Sequence, residues 1–314
     1  MVVFLDLDII LTKTGLLSHS KFFHLSSLAF IVVDGEDSAK FLQGQLTSDI
    51  RSLLEYQAAI AGFCNAKGRV ISTLLVVKTD KAFILILPAS LVEKVYQKLQ
   101  MYILRSKVAL SRQKKHMHLL GLENSVNGIT EIDRDWSELL LQNDDFAVVT
   151  LPYTLERSLC IVDTAKASLP DRLLQTLDQP DHDQEWLYLD VLSGFPWFDE
   201  PQSESYTPQM LSLDVLGGVS FNKGCYTGQE VVARTHFLGK AKRHLFQAEC
   251  LDANDLPAAG VKILDGSTFQ VMGEILMAKT FRKTTRFLLV LQDTVADTVK
   301  LVLDDHYRTA IKIV

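Results

Sequence analysis

The chain has 314 residues, enough for two or three compact units, and its 47% hydrophobic and 22% charged side chains are an ordinary globular balance. A net charge of −6 excludes a broad, permanently basic face for nucleic acid while leaving room for a local patch. No run reaches the roughly 18 apolar residues that a membrane-spanning helix needs, so no membrane partner is expected.

The first segment, VVFLDLDIILT from Val2 to Thr12, looks like a phosphotransferase strand end, with one Asp as nucleophile and the other as acid/base. That chemistry needs a sharp polar turn after the second carboxylate, and Ile9 and Ile10 follow Asp8, so the segment reads as an edge strand. Asp6, Asp8 and Lys13 break the basic-then-apolar order of a signal peptide, and the first arginine is Arg51; a cytoplasmic protein is expected.

Residues 25–34 read as a strand ended by Gly35, and Asp37 as the N-cap of a short helix running to Gln43. From Ala58 the pattern is strand, turn at Asn65-Ala66-Lys67-Gly68, strand, turn, strand, which is the hairpin signal. Pro88 opens a helix with Leu91, Val95, Leu99 and Ile103 on one face. Residues 1–115 are therefore assigned to a ferredoxin-like α+β unit. A second α+β unit spans 116–240, with strands at HMHLLGL, FAVVTL and SLCIVD and a helix from Pro170 to Leu177. After it, VKIL, VMGEIL, RFLLVLQ, VKLVL and TAIKIV alternate with turn residues, which predicts a small all-β barrel over 241–314.

The four cysteines, Cys64, Cys160, Cys225 and Cys250, lie far apart with no Cys-x-x-Cys pair, so neither a zinc site, a disulfide framework nor a resident iron–sulfur cluster is read. The densest chemistry lies at 216–245. Thr227-Gly228-Gln229-Glu230 matches a capping box, with Glu230 satisfying the helix start. Cys225 stands just before that start and beside Lys223, and both neighbours favour the thiolate. Arg234, Lys240, Lys242, Arg243 and His244 form the most basic stretch, either a solvated helix exit or an anchor for an anionic backbone. The aromatic segment Trp186–Pro196 reads as a buried helix or as a stacking wall for a flat ligand.

These segments together resemble the YgfZ family. Its Lys-Gly-Cys-Tyr-x-Gly-Gln-Glu hallmark stands here as Lys223-Gly224-Cys225-Tyr226-Thr227-Gly228-Gln229-Glu230. Leu216-Gly217-Gly218-Val219-Ser220-Phe221, Pro208-Gln209, Phe41 to Asp49 and Asn65-Ala66-Lys67-Gly68-Arg69 also fit, in order and across nearly the whole chain. The resemblance implies a fold similar to the glycine-cleavage T-protein: α+β units around a central cavity plus a C-terminal β-barrel. It implies tetrahydrofolate as cofactor and a part in assembling or repairing iron–sulfur enzymes, including tRNA-modifying ones. Folate, iron–sulfur enzymes or cluster carriers, and tRNA-modifying enzymes are then the implied partners, with transient iron or iron–sulfur contact at the motif cysteine.

By the same resemblance Cys225 is the functional thiol with Lys223 beside it. Trp186 and Leu28 correspond to folate-facing positions, with Gln45, Asn65 and Leu192 around the ligand, while Gly224, Tyr226, Gly228, Gln229, Glu230 and Arg234 complete the motif. The chain departs from T-proteins in three places. The hairpin carries Asn65 to Arg69 where a catalytic aspartate stands, Leu192 replaces the pterin-anchoring Glu, and Leu28 replaces a second tryptophan. The expected function is accessory rather than catalytic. Its rivals are a one-carbon transferase using Lys67 or Asn65, and a tRNA-binding module using residues 240–244.

Overall fold

The computed structural model describes residues 21–123, 146–152, 157–165, 175–177, 183–239, 241–251, 256–293, 300–306 and 308–314. The segment Val2–Thr12, most of the helix expected from Pro170, and Lys240 lie outside the described residues.

The first unit is built on a five-stranded antiparallel sheet in the order β3 (Ala58–Cys64), β4 (Val70–Lys78), β5 (Ala82–Pro88), β2 (Leu28–Asp34), β6 (Ala109–Arg112). The β-branched run of β4 is buried at every position from Val70 to Val77, because both faces of this strand are covered. Helix α1 (Ser38–Gln43) and helix α2 (Val92–Tyr102) pack on it. The expected apolar stripe is real: Leu91, Val95 and Leu99 are fully buried. Asp37 does precede α1, but its carboxylate does not cap that helix. It accepts instead from the Lys107 backbone N–H at 2.9 Å, a loop distant in sequence that no local pattern announces.

A second sheet runs β1 (Lys21–His24), β7 (Met117–Glu123), β9 (Arg157–Asp163), β8 (Phe146–Thr150). The first described strand thus crosses to the second unit, pairing Lys21 to His24 with Glu123 to Leu120. Helix α3 (Gln184–Leu192) lies against this sheet, and helix α4 (Gln229–Leu238) follows the Cys225 motif.

The last unit is a closed six-stranded barrel, β10 (Arg243–Leu251), β13 (Thr284–Gln292), β12 (Val271–Phe281), β11 (Lys262–Asp265), β14 (Leu301–Leu303), β15 (Ala310–Ile313). The period of two along β13 explains its unbroken apolar run. Phe287, Leu289 and Leu291 fill the barrel, while Leu288 and Val290 point outward into the core of the α+β units. Every full side-chain burial of this kind is worth roughly 1.5–3 kcal/mol, so this strand ties the barrel to the rest of the molecule. Among the described residues no helix is long and apolar enough to cross a membrane.

Candidate functional site

The site begins at the hairpin turn between β3 and β4. Asn65 Oδ1 accepts the backbone N–H groups of Lys67 (2.9 Å) and Arg69 (3.1 Å), which curls the chain, and Gly68 takes φ +67°. The amide nitrogen of Asn65 donates to Glu204 Oε2 at 2.6 Å. That hydrogen bond, with Lys98 and Lys94 nearby, holds the Glu204 carboxyl below the usual range.

The motif stands on this turn. Gly228, at φ +83°, is the N-cap of α4, and its missing Cβ would fall 2.4 Å from the Asn65 carbonyl oxygen and 2.9 Å from Gly68 Cα. A Cβ on Gly68 would in turn meet Val231 at 2.9 Å. Two glycines more than 150 positions apart therefore interlock backbone on backbone. The capping box does not form: α4 starts one residue later than that pattern requires and has no side-chain cap. The hairpin beneath forces Gly228 into a left-handed conformation, so Thr227 cannot occupy the capping position. Thr227 donates its backbone N–H to Gly44 instead.

The segment after α1 completes the platform. Thr47 bridges three strands of chain: its hydroxyl donates to the Gly218 carbonyl and accepts the Gly62 N–H (2.7 Å), and its carbonyl accepts the Ser220 N–H (2.9 Å). Gln209 Nε2 donates to Val232 carbonyl at 2.9 Å, fastening Pro208-Gln209 under α4. Lys223 reaches back to the carbonyl oxygens of Leu46 (2.6 Å) and Ser48 (2.7 Å), 5.1 Å from the ring centre of buried Tyr226. All the separated segments that carry the family resemblance thus converge, and Gly224 and Cys225 lie exposed on top.

The electrostatics distinguish the thiols. Burial pushes Cys64 and Cys160 up to about 12, which leaves both protonated at neutral pH. Cys64 ends the strand under the motif; burial first, and then the Cys64 thiolate that forms only at high pH, raises the Tyr226 phenol. Exposed Cys225 has the access that thiol chemistry needs.

A second feature opens where the barrel meets the α+β units. A cleft of about 260 Å³ is lined by Leu28, Leu187, Trp197, Phe198, Gln202 and Lys279, among others. Two buried polar atoms in its wall, Ser27 Oγ and Gln202 Oε1, have no hydrogen-bond partner. Burying such an atom unpaired costs roughly 1–3 kcal/mol.

The sequence is similar to the tRNA-modifying protein YgfZ of Shigella sonnei strain Ss046, 33% identical over 262 residues that cover 81% of this chain and 79% of that protein. The same protein of Escherichia coli O127:H6 is 32% identical over the same length. The chain belongs to the YgfZ family. No protein-family model matches it. In fold, this YgfZ-family chain is similar to the glycine cleavage system aminomethyltransferase T from Bartonella henselae, with a TM-score of 0.71, 16% identity, and coverage of 94% and 85% of the two chains.

Within this YgfZ-family fold the positions matched to folate binding do not share one wall. Leu28 lines the cleft, and Gln45 lines a separate surface groove with Lys40, Tyr102 and Arg105. Asn65 is engaged at both ends of its amide in the hairpin, and Leu192 is 40% exposed at the end of α3. Trp186 is a core residue, 1% exposed. A Cβ on Gly121 would fall 2.4 Å from its ring, Phe23 lies 5.6 Å away and the Arg157 guanidinium sits 4.7 Å over it. Of the two readings of the aromatic segment, the buried helix is the one that the structure builds. Trp197, Gln202 and Lys279 did not stand out as motifs. Only Trp197 has a local signal, the aromatic Phe195-Pro196-Trp197-Phe198 run, which looks like core packing; nothing in the sequence marks Gln202 or Lys279.

Glu230 and Arg234 are exposed on α4 and Gln229 is half-buried. Among the described residues no three His, Cys, Asp or Glu side chains come together as metal ligands. Burial lowers Lys223 to about 8 from 10.5, with Asp49 opposing the shift. Between those values the unfolded chain holds more protons than the folded one, so this group adds stability as pH rises from about 8 toward 10.5. In a methyl-lysine NMR titration one signal should show its midpoint near 8 and disappear in Lys223→Met. A chain whose lysines all titrate above 10 would refute the burial-driven shift.

Proposed function

We propose that this protein is a folate-binding accessory factor for iron–sulfur proteins that act in tRNA modification, with Cys225 as its working thiol. One observation carries the reading. Residues 41–49, 65–69, 208–209 and 216–230 fold together into a Gly-interlocked platform on which Cys225 is exposed. In that role Cys225 loses its proton to solvent and its sulfur transiently ligates the iron or cluster in transit, which is cargo rather than a resident cofactor. A one-carbon transferase is the weaker reading. Asn65 is occupied in turn formation, and Lys67 stands exposed on the same turn.

Folate fits the cleft beside Leu28 on chemical grounds. Its walls are more apolar than polar, Gln202 is one of the lining residues, and the Lys279 ammonium, which also donates to Gln184 Oε1 at 3.1 Å, suits an anionic tail. The volume is slightly below the roughly 300–1,000 Å³ of ordinary ligand clefts, which suits one end of an extended molecule. The residues' part is to orient that end and exclude water; folate would supply one-carbon or redox chemistry when bound.

The decisive experiment is complementation in cells lacking the protein, read by mass spectrometry of modified tRNA nucleosides. Cys225→Ser should fall to the level of the deletion while the purified variant keeps its fold. Full complementation by Cys225→Ser would end the thiol assignment. Calorimetric titration with tetrahydrofolate tests the cleft separately: Gln202→Leu and Lys279→Ala should each weaken binding about tenfold, or about 1.4 kcal/mol. Unchanged affinity in both would place folate elsewhere. Trp186→Ala is unsuitable for this purpose, because emptying a core site of that size costs roughly 3–5 kcal/mol by itself.

A further inference from the structure

The last turn of α4 carries side chains that a free helix end has no reason to expose. Phe237 is 65% exposed, Leu238 84%, and Val215 on the preceding loop 83%, while Val232 is the buried residue of the helix. Exposed apolar side chains gathered at one helix end in this way mark a candidate interaction surface. The rings are also prearranged. His236 stacks on Phe221 with centres 3.7 Å apart and planes 15° from parallel, and Phe237 stands edge-on to both, at 4.8 and 5.7 Å. Interlocked in this way, the three rings have little rotamer freedom left to lose when something lands on them.

The charge around this ledge selects the occupant. From Phe221 to His244 the sequence carries Lys223, Arg234, Lys240, Lys242 and Arg243 against Glu230, and Asp293 lies beside the end of this stretch, its N–H on the Lys242 carbonyl and its carboxylate 3.6 Å from His244, within a protein of net charge −6. Arg234 is exposed and, by helical spacing, shares its face of α4 with Phe237 and Leu238; Lys242 is exposed just beyond the helix. Flat apolar faces rimmed by cations match a polyanion whose bases are free to stack. A duplex offers phosphates but hides the base faces, so the strand must be unpaired.

We propose that the Phe221–His236–Phe237 ledge, with Arg234 on the same helix face and Lys242 shortly after it in the chain, docks the unpaired nucleotides of a polynucleotide strand. This goes beyond the thiol function and does not rest on it. The test is fluorescence anisotropy with a labelled unstructured RNA, a DNA of the same sequence and a duplex of equal charge, using the full-length protein. The unpaired strands should bind, the duplex should bind at least about tenfold more weakly, and Phe237→Ala should lose about tenfold in affinity for the single strand. Lys242→Ala should reduce the slope of log affinity against log salt by about 0.7. The RNA and DNA arms tell which strand is preferred, and binding of either supports the ledge. Cys225→Ser should bind as wild type, which separates failure of the ledge from failure of the thiol reading. No binding at low salt, equal binding of duplex, or wild-type affinity in Phe237→Ala would overturn the proposal. So would self-association that Phe237→Ala abolishes, since the ledge would then be a contact between copies of the chain.

Discussion

Asp190→Ala is expected to shift chemical unfolding to much lower denaturant, with a loss of roughly 3–5 kcal/mol. Asp190 is fully buried on α3, and its carboxylate accepts from the Arg157 guanidinium at 2.8 Å and from the Trp197 indole N–H at 2.9 Å. Arg157, itself buried, also donates to Ser193 Oγ (2.9 Å) and the Leu189 carbonyl (3.2 Å), so it clamps the end of α3 onto β9. Removing the carboxylate leaves a buried cation with its main counter-charge gone and an indole donor unpaired, and the penalty is desolvation rather than a lost contact. The double replacement Arg157→Leu/Asp190→Leu should recover a good part of the loss, because no charge is then stranded. An Asp190→Ala chain within about 1 kcal/mol of wild type would show that the pair is solvated. The clamp matters for the cleft as well, since α3 carries Leu187 and leads into Trp197 and Phe198.

Gly228→Ala is the second large effect, and it distinguishes the glycines of the motif. An alanine there would hold φ +83°, which costs roughly 1–2 kcal/mol, and its Cβ would overlap the Asn65 carbonyl at 2.4 Å. The hairpin and α4 would have to part, and with them the platform of Cys225. Unfolding stability and the selectivity of iodoacetamide for Cys225 over Cys64 should fall together. Gly224→Ala is the control. Its Cβ meets nothing within 4 Å, so it should change stability by less than about 0.5 kcal/mol. Equal behaviour of the two variants, seen by denaturation and by mass spectrometry of the alkylated thiols, would contradict the interlock.

Much of this molecule follows from local pattern. The period-2 strands of the barrel, the stripe Leu91, Val95 and Leu99 on α2, and the hairpin at Asn65 to Gly68 are each specified within a few residues. The eight-residue motif with Cys225 also points to its family from sequence alone, because a contiguous segment containing a thiol, a lysine and two glycines is specific in itself. The sequence also holds a clue to burial: Asp190 is the only charged residue between Trp186 and Trp197, and a lone carboxylate in an apolar run must find a partner.

That partner, Arg157, lies 33 positions away, and here tertiary structure decides what sequence leaves open. Trp186 became core rather than ligand wall because Gly121 on β7 leaves room for its ring and Arg157 covers it. Thr227-x-x-Glu230 satisfied a capping rule on spacing, yet the turn at residues 65–68 pushed Gly228 into a conformation that moved the helix start. The cleft joins Leu28, Gln202 and Lys279 from three distant stretches of chain. Propensity and periodicity act over a few residues and are legible in order of sequence. Steric exclusion and the pairing of buried charges act through space, and only the folded chain brings their partners together.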